Sequence, residues 1–298
     1  MKYISGRNNL ACTIFVPFDC NNNCPFCTSK GMYKTMHDKF NLEKILEYID
    51  LINYNPFIKE YVLTGGEPCA NLELLKTIVN ACKKPIYINT TMPLTPFVGD
   101  TIQFINECDK IKGISVSRHM SVTFKNVASP LLLSNIKKPI RINVVMTKNF
   151  NMYEFGVFVD YYSDYFKFIN LRADYTKIDN KTLKNTDDVC LYLLDKHTYH
   201  GNTSCLVCNT DYFETNKHVT IAYHRGLQYS SVKLLTKTFI NDVIITPDGE
   251  IHHDWNFDEE EPKDFLEWCL GCKTKNRIIV DLDNDKDIVK LLKILSDK

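Results

Sequence analysis

Short apolar runs rich in β-branched residues alternate with segments of helical period through residues 11–171, and this alternation restricts the chain to a few architectures. Residues 11–18 read as a strand. Residues 40–53 read as a helix, with Leu42, Ile45, Leu46, Ile49 and Ile52 on one face behind a cap at Asn41. Strands are predicted again over residues 58–63, 85–89, 111–117, 140–146 and 166–171. Between them, Leu74, Leu75, Ile78, Val79 and Cys82 share a helix face behind Asn71, and residues 101–108 and 153–162 continue the pattern. Six strands joined by crossovers predict a mainly parallel sheet in an α/β fold, a partial (β/α)6 barrel. An eight-unit barrel takes about 250 residues, more than this segment offers. In such sheets ligands gather at the C-terminal strand ends, which selects the residues that matter for function.

Residues 182–188 are polar and suggest a boundary between a barrel at 1–180 and a C-terminal extension at 181–298. The extension holds Cys205-Leu206-Val207-Cys208, a hairpin turning at Pro247-Asp248-Gly249, Cys269-Leu270-Gly271-Cys272 and an amphipathic helix over 288–295. Cysteine accounts for 12 of 298 residues, about 4%, well below the ~8–10% of a disulfide scaffold. The first nine residues are polar and lack the apolar core of an export signal, and no apolar run approaches a membrane span. A reducing, cytoplasmic setting without a membrane partner is expected, where clustered cysteines read as metal ligands or redox groups. Lys+Arg and Asp+Glu both number 36, so the formal net charge is 0, and broad nucleic-acid binding is not expected.

Cys20, Cys24 and Cys27 form C-x3-C-x2-C on the loop after the first strand. At this cysteine content, chance produces the spacing about 0.02 times per chain. Three thiolates within eight residues can wrap one face of a cubic iron–sulfur cluster and leave its fourth iron open. Zinc is the alternative, with His37 as a fourth ligand. With Phe26 before the last cysteine, the motif resembles the signature of the radical S-adenosylmethionine (radical SAM) superfamily. The second motif of that family is matched by Gly65-Gly66-Glu67-Pro68 after the strand Tyr61-Val62-Leu63. The resemblance implies that Cys20, Cys24 and Cys27 hold a [4Fe-4S] cluster whose open iron is chelated by S-adenosylmethionine. Phe26, Gly65, Gly66, Glu67 and Pro68 would then line the cofactor. Glycines permit close backbone approach, Glu67 offers an acceptor for an ammonium group, and Pro68 stiffens the turn.

The resemblance covers about residues 10–171. On later strand ends it points to Asn89 near the methionine moiety and Ser117 near the ribose or carboxylate. Arg118 and His119 follow at the pocket mouth, as a bidentate anion clamp and a proton carrier or loop cap. Arg172 and Asn143 are further pocket candidates. The segments Tyr223-His224-Arg225-Gly226 and Gln228-Tyr229-Ser230-Ser231 read as polar loops.

Three C-x2-C pairs occur where chance gives about 0.5. Cys205, Cys208, Cys269 and Cys272 form one candidate metal site, for a second [4Fe-4S] cluster or zinc, with His252 or His253 as a substitute ligand. The tail resembles the twitch or SPASM-like auxiliary-cluster extensions of the family, but has His252-His253-Asp254 where those often place a cysteine. Cys12, Cys69, Cys82, Cys108 and Cys190 read as small core residues. The family implies an enzyme (an oxidoreductase, transferase or lyase) that cleaves S-adenosylmethionine and is reduced by a donor such as flavodoxin or ferredoxin. The expected substrate is a small anionic or nucleotide-like molecule. A peptide or protein substrate is the second reading, and a non-catalytic zinc or iron–sulfur module the third.

Overall fold

A computed structural model describes residues 3–5, 10–16, 20, 22–27, 39–120, 122, 124–147, 150–174, 180–204, 209–224, 231–234, 237–253 and 263–270. Fourteen strands are found there: β1 (Tyr3–Ser5), β2 (Leu10–Val16), β3 (Ile58–Gly65), β4 (Ile86–Thr90), β5 (Ile111–Ser117), β6 (Ile140–Met146), β7 (Phe168–Ala173), β8 (Thr198–Ser204), β9 (Asn209–Glu214), β10 (Thr220–His224), β11 (Ser231–Leu234), β12 (Lys237–Ile240), β13 (Asp242–Ile245) and β14 (Ile251–His252). The α-helices are α1 (Leu42–Asn53), α2 (Leu72–Ala81), α3 (Val98–Glu107), α4 (Pro130–Leu133), α5 (Met152–Ser163), α6 (Asn180–Lys196) and α7 (Lys263–Leu270).

The helices start where short polar side chains accept hydrogen bonds from unpaired backbone donors. Asn41 accepts from Lys44 N at 3.0 Å and Asn71 from Leu74 N at 3.1 Å. Their other ends are closed by lysines from the end of the next strand–helix unit, Lys84 just before β4 and Lys110 just before β5. Lys84 Nζ donates to Ile52 O, Asn55 O and Ile58 O, and Lys110 Nζ to Val79 O, Asn80 O and Cys82 O. A cation at the carbonyl end complements the helix dipole and satisfies its last acceptors. Each of these helices thus carries its own start and is stopped by the unit that follows it.

Strands β2 to β7 lie side by side in chain order and pair in parallel, as the alternation predicts. The sheet is open, with β14 and β8 as its two edges. Along β3, Tyr61 and Leu63 are fully buried while Glu60, Val62 and Thr64 are half-buried. Tyr61 Oη donates to Asn53 Oδ1 at 2.9 Å, so the buried face is the one that α1 covers. The same alternation along β6 buries Ile142, Val144 and Met146 and leaves Asn143 and Val145 half-exposed. Along these two strands one face is core and the other, more open one is half-buried, whereas β2 and β5 are buried on both faces.

The sheet does not end where the polar stretch at 182–188 suggested a boundary. That stretch lies inside α6, and strands from beyond it flank both sides of the six-stranded unit. β10 pairs in parallel with β7, and β13 pairs in parallel with β2. The β13–β14 hairpin forms as expected, with Gly249 at φ +78, and Lys44 pairs with Glu250 across to α1 at 2.5 Å. Tyr223 and His224, read as loop from sequence, belong to β10, whereas residues 225–230 lie outside the described residues.

Parallel pairing sets Val16, Gly65, Thr90, Ser117, Met146 and Ala173 at one edge of the sheet. The cysteine loop, the Gly65–Pro68 turn and the segments after β4 and β5 all leave from that edge. No described helix is long and apolar enough to cross a membrane.

Candidate functional site

The turn after β3 is fixed by close packing against the end of β2. Gly65 has φ +126, and a Cβ there would sit 2.3 Å from Val16 O, so both conformation and space demand glycine. Gly66 N donates to the same carbonyl at 3.2 Å. The sequence reading assigned the glycines to close approach by a ligand. At Gly65 the close approach is to the strand that launches the cysteine loop.

Glu67 differs from its expected role as an open acceptor. It is 2% exposed, and four protein donors converge on its carboxylate. Oε1 accepts from Cys69 N at 3.0 Å and from Thr90 Oγ1, and Oε2 from Thr91 N at 2.6 Å and Thr91 Oγ1 at 2.5 Å. Burial holds the carboxyl above its ordinary range despite those four donors. With its lone pairs spent inside the protein, Glu67 positions Thr90 and Thr91. Pro68 and Cys69 are buried in the short turn that follows.

The network continues to the cysteines. Asn22 Nδ2 donates to Thr91 Oγ1 at 3.3 Å and lies 3.8 Å from Cys20 Sγ. Cys20, Cys24 and Cys27 are half-buried, and Cys27 N donates to Cys24 O at 3.2 Å, closing a turn. Desolvation raises the Cys20 thiol, with the charges of Glu67 and Cys27 adding to it, so the two motifs share one electrostatic neighbourhood. Three half-buried thiols on one short loop are a donor set whose chemistry suits a [4Fe-4S] cluster. Among the described residues no three His, Cys, Asp or Glu side chains converge on a single metal ion, and His37 lies outside them.

Arg118 was expected to hold an anion at the pocket mouth, but it is 5% exposed and bonded to backbone. Nη1 donates to Thr91 O at 2.8 Å and Ser117 O at 2.7 Å, and Nη2 to Ala128 O at 2.7 Å. It braces the chain around Met92, which takes φ 50. His119 bonds across to the neighbouring strand: its Nδ1 accepts from Val145 N of β6 at 3.1 Å, which leaves the proton of the neutral ring on Nε2. Burial, aided by the charges of Arg172 and Arg118, pushes His119 down to about 3. Its ring meets Phe26 edge-on at 4.6 Å, tying the cysteine loop to the end of β5.

Asn89 and Ser117 lie half-buried on the open face, in register with Ser115 and Asn143 respectively. Arg172 is on the same face of β7, opposite Val145. Sequence reading missed Asn22, Thr91 as a network centre, Arg141, Asn170 and His224. The period-two pattern Arg141-Ile142-Asn143-Val144 on β6 was the available signal for the open-face set.

Of the tail cysteines, Cys205, Cys208 and Cys272 lie outside the described residues. Cys269 is fully buried in α7, its carbonyl accepting from Asn55 Nδ2 at 2.6 Å, and its thiol neighbours Cys12 in the core behind β2. His252 is buried in β14.

Residues 14–124 match the family model for the Radical SAM superfamily. No curated protein matches the chain. Among solved structures, SuiB of Streptococcus suis bound to S-adenosylmethionine is similar at TM-score 0.56 and 13% identity, over 88% of this chain and 64% of that one. SuiB bound to the precursor peptide SuiA is similar at TM-score 0.57 and 16% identity, over 90% and 65%. The chain thus spans just under two thirds of the length of those structures, and the likeness is one of fold.

Proposed function

We propose that this chain, which carries a radical SAM domain across residues 14–124, is an enzyme that cleaves S-adenosylmethionine reductively and abstracts hydrogen from a small anionic or nucleotide-like substrate. The observation that carries the reading is the hydrogen-bonded link from Cys20 through Asn22 and Thr91 to Glu67, which joins both family motifs at one sheet edge. When bound, a reduced [4Fe-4S] cluster supplies one electron to S-adenosylmethionine, giving methionine and a 5′-deoxyadenosyl radical.

Cys20, Cys24 and Cys27 would hold the cluster. Glu67 fixes the backbone of Thr91, so the strand end beside the thiols keeps one geometry when ligand enters. Arg118 holds the far side of that segment, and His119 packs Phe26 against the end of β5. Asn89 and Ser117 present polar groups from adjacent open-face strands and suit contacts to the cofactor's polar parts. Preorganisation of this kind supplies orientation before chemistry begins.

Residues 1–180 would form the catalytic unit. Residues 181–298 would form an extension whose Cys205, Cys208, Cys269 and Cys272 bind a second cluster or zinc, and two C-x2-C pairs support this. A flavodoxin- or ferredoxin-like donor in the cytoplasm would provide the electron. A peptide substrate is the second reading, favoured by the fold likeness to SuiB, a protein solved with a precursor peptide.

Anaerobic reconstitution followed by dithionite reduction and S-adenosylmethionine should yield 5′-deoxyadenosine and methionine. A protein with a full complement of iron and neither product would overturn the reading.

A further inference from the structure

Beyond the cysteine end of the sheet, the open face of β5, β6, β7 and β10 gathers polar side chains that the assignment above does not use. Ser115 is in register with Arg141, Asn143 with Asn170, and Arg172 with His224. Arg141 Nε donates to Ser115 Oγ at 2.7 Å, and its two terminal nitrogens, on a residue that is exposed, make no hydrogen bond with a described residue. Arg172 is half-buried, its Nε is shielded from solvent, and no described residue accepts from it. Neither arginine forms an ion pair among the described residues. The two guanidinium groups lie near enough to repel each other, and Glu60 on β3 is a carboxylate whose charge reaches Arg141 without an ion pair between them, an arrangement that a bound oxyanion would stabilise.

A chain of hydrogen bonds orients the amide between them. Asn170 Nδ2 donates to Asn143 Oδ1 at 3.0 Å, so Asn170 Oδ1 is an acceptor and His224 Nε2 donates to it. His224 Nδ1 then accepts from the Thr210 hydroxyl at 2.8 Å, as a neutral ring requires. Desolvation, with the charges of Arg172 and Arg141 behind it, pushes His224 down to about 3, so the ring stays neutral at physiological pH. The relay runs Thr210, His224, Asn170, Asn143, and it ends with the Asn143 N–H2 group as a donor on the open face. Arg141, Asn143 and Arg172 therefore present hydrogen-bond donors from neighbouring strands.

We infer that Arg141, Arg172 and the Asn143 amide form a binding site for a carboxylate or phosphate group of a small substrate, with His224 and Asn170 as positioning residues. The site deepens the proposed function and rests on it only in calling the bound molecule a substrate. Its donors come from β6 and β7, the thiols from the loop after β2, and Arg172, one residue from the end of β7, is the member nearest the cysteine end.

The test is calorimetric titration of inorganic phosphate, and separately of succinate, into the cluster-loaded full-length protein under anaerobic conditions with S-adenosylhomocysteine present. The tighter of the two identifies the group. Arg141→Gln and Arg172→Gln should each weaken binding about tenfold, in line with the loss of one charge-assisted pair. His224→Phe should weaken it about threefold, with recovery in His224→Gln, whose amide can still donate to Asn170. Circular dichroism checks folding, and Arg172→Lys, which keeps the charge and loses the fork, serves if the glutamine variant does not fold, with weaker binding expected. Affinities within twofold of wild type in the folded Arg141→Gln/Arg172→Gln protein, or in Arg172→Lys, would overturn the site. So would displacement of phosphate by S-adenosylhomocysteine, which would assign the arginines to the cofactor. Deoxyadenosine formation, measured separately, reports on the radical reading: anion binding without it leaves the site standing and removes that reading, and the converse removes the site alone.

Discussion

The two halves of the open sheet handle charge in opposite ways. At the ends of β3 and β4 a buried carboxylate, Glu67, is enclosed by four donors, and every partner is supplied by the protein. On β6 and β7, Arg141 and Arg172 share a face and have no carboxylate partner among the described residues. The first arrangement is saturated and stiff. In the second, Arg141 is exposed and Arg172 keeps a buried Nε without a protein acceptor, which suits a partner that arrives from solution. On the proposed reading, the first region is a frame beside the cofactor and the second a charged site for a ligand.

That contrast can be broken by stability measurements. Glu67→Gln puts an N–H2 group among four donors, leaves several of them unpaired, and should cost about 3–5 kcal/mol in urea unfolding. Arg172→Gln, which removes a charge held near another guanidinium and breaks no described hydrogen bond, should stay within about 0.5 kcal/mol of wild type. A large loss at Arg172 or none at Glu67 would reverse the comparison.

The pH profile offers a second handle. His119 and His224 sit near 3 in the folded protein, against a usual 6.5. The unfolded chain therefore takes up protons below about pH 6.5 that the folded chain refuses. Their contribution is complete above 6.5 and is lost as pH falls from there toward 3. Urea midpoints should decline steadily between pH 7 and pH 4, with a shallower decline in His224→Gln, and a flat wild-type profile would contradict the buried neutral rings.

Smaller still is the effect at Lys84. Replacing it by methionine removes a cation from Ile52 O in the last turn of α1 and from Asn55 O and Ile58 O in the chain that leads into β3, and should cost about 1–2 kcal/mol, again read by urea unfolding. Because this brace lies away from both regions, the phosphate titration of the folded variant should match wild type.

The same contrast explains what could be read in advance. The thiol loop and Gly65–Pro68 are contiguous, so their chemistry is spelled out in short words of sequence. The helix caps at Asn41 and Asn71 are equally local and were legible for the same reason. The Arg141–Arg172–His224 face draws one residue from each of three strands that are neighbours only after folding, and β10 joins β7 across an intervening α6 and two strands. No local pattern announces that register. Glu67 was legible as a site residue but not in its role, since the donors that enclose it come from Thr90 and Thr91 on the next strand end. At 182–188 the polar composition could not distinguish a linker from the start of a helix, and the stretch lies in α6.

The central claim is that Cys20, Cys24 and Cys27 serve reductive cleavage of S-adenosylmethionine. Its most direct test compares 5′-deoxyadenosine formed by the anaerobically reconstituted, dithionite-reduced wild-type protein and its Cys24→Ala variant. The account predicts product from the wild type and none above background from the variant. Equal yields from the two proteins would contradict it.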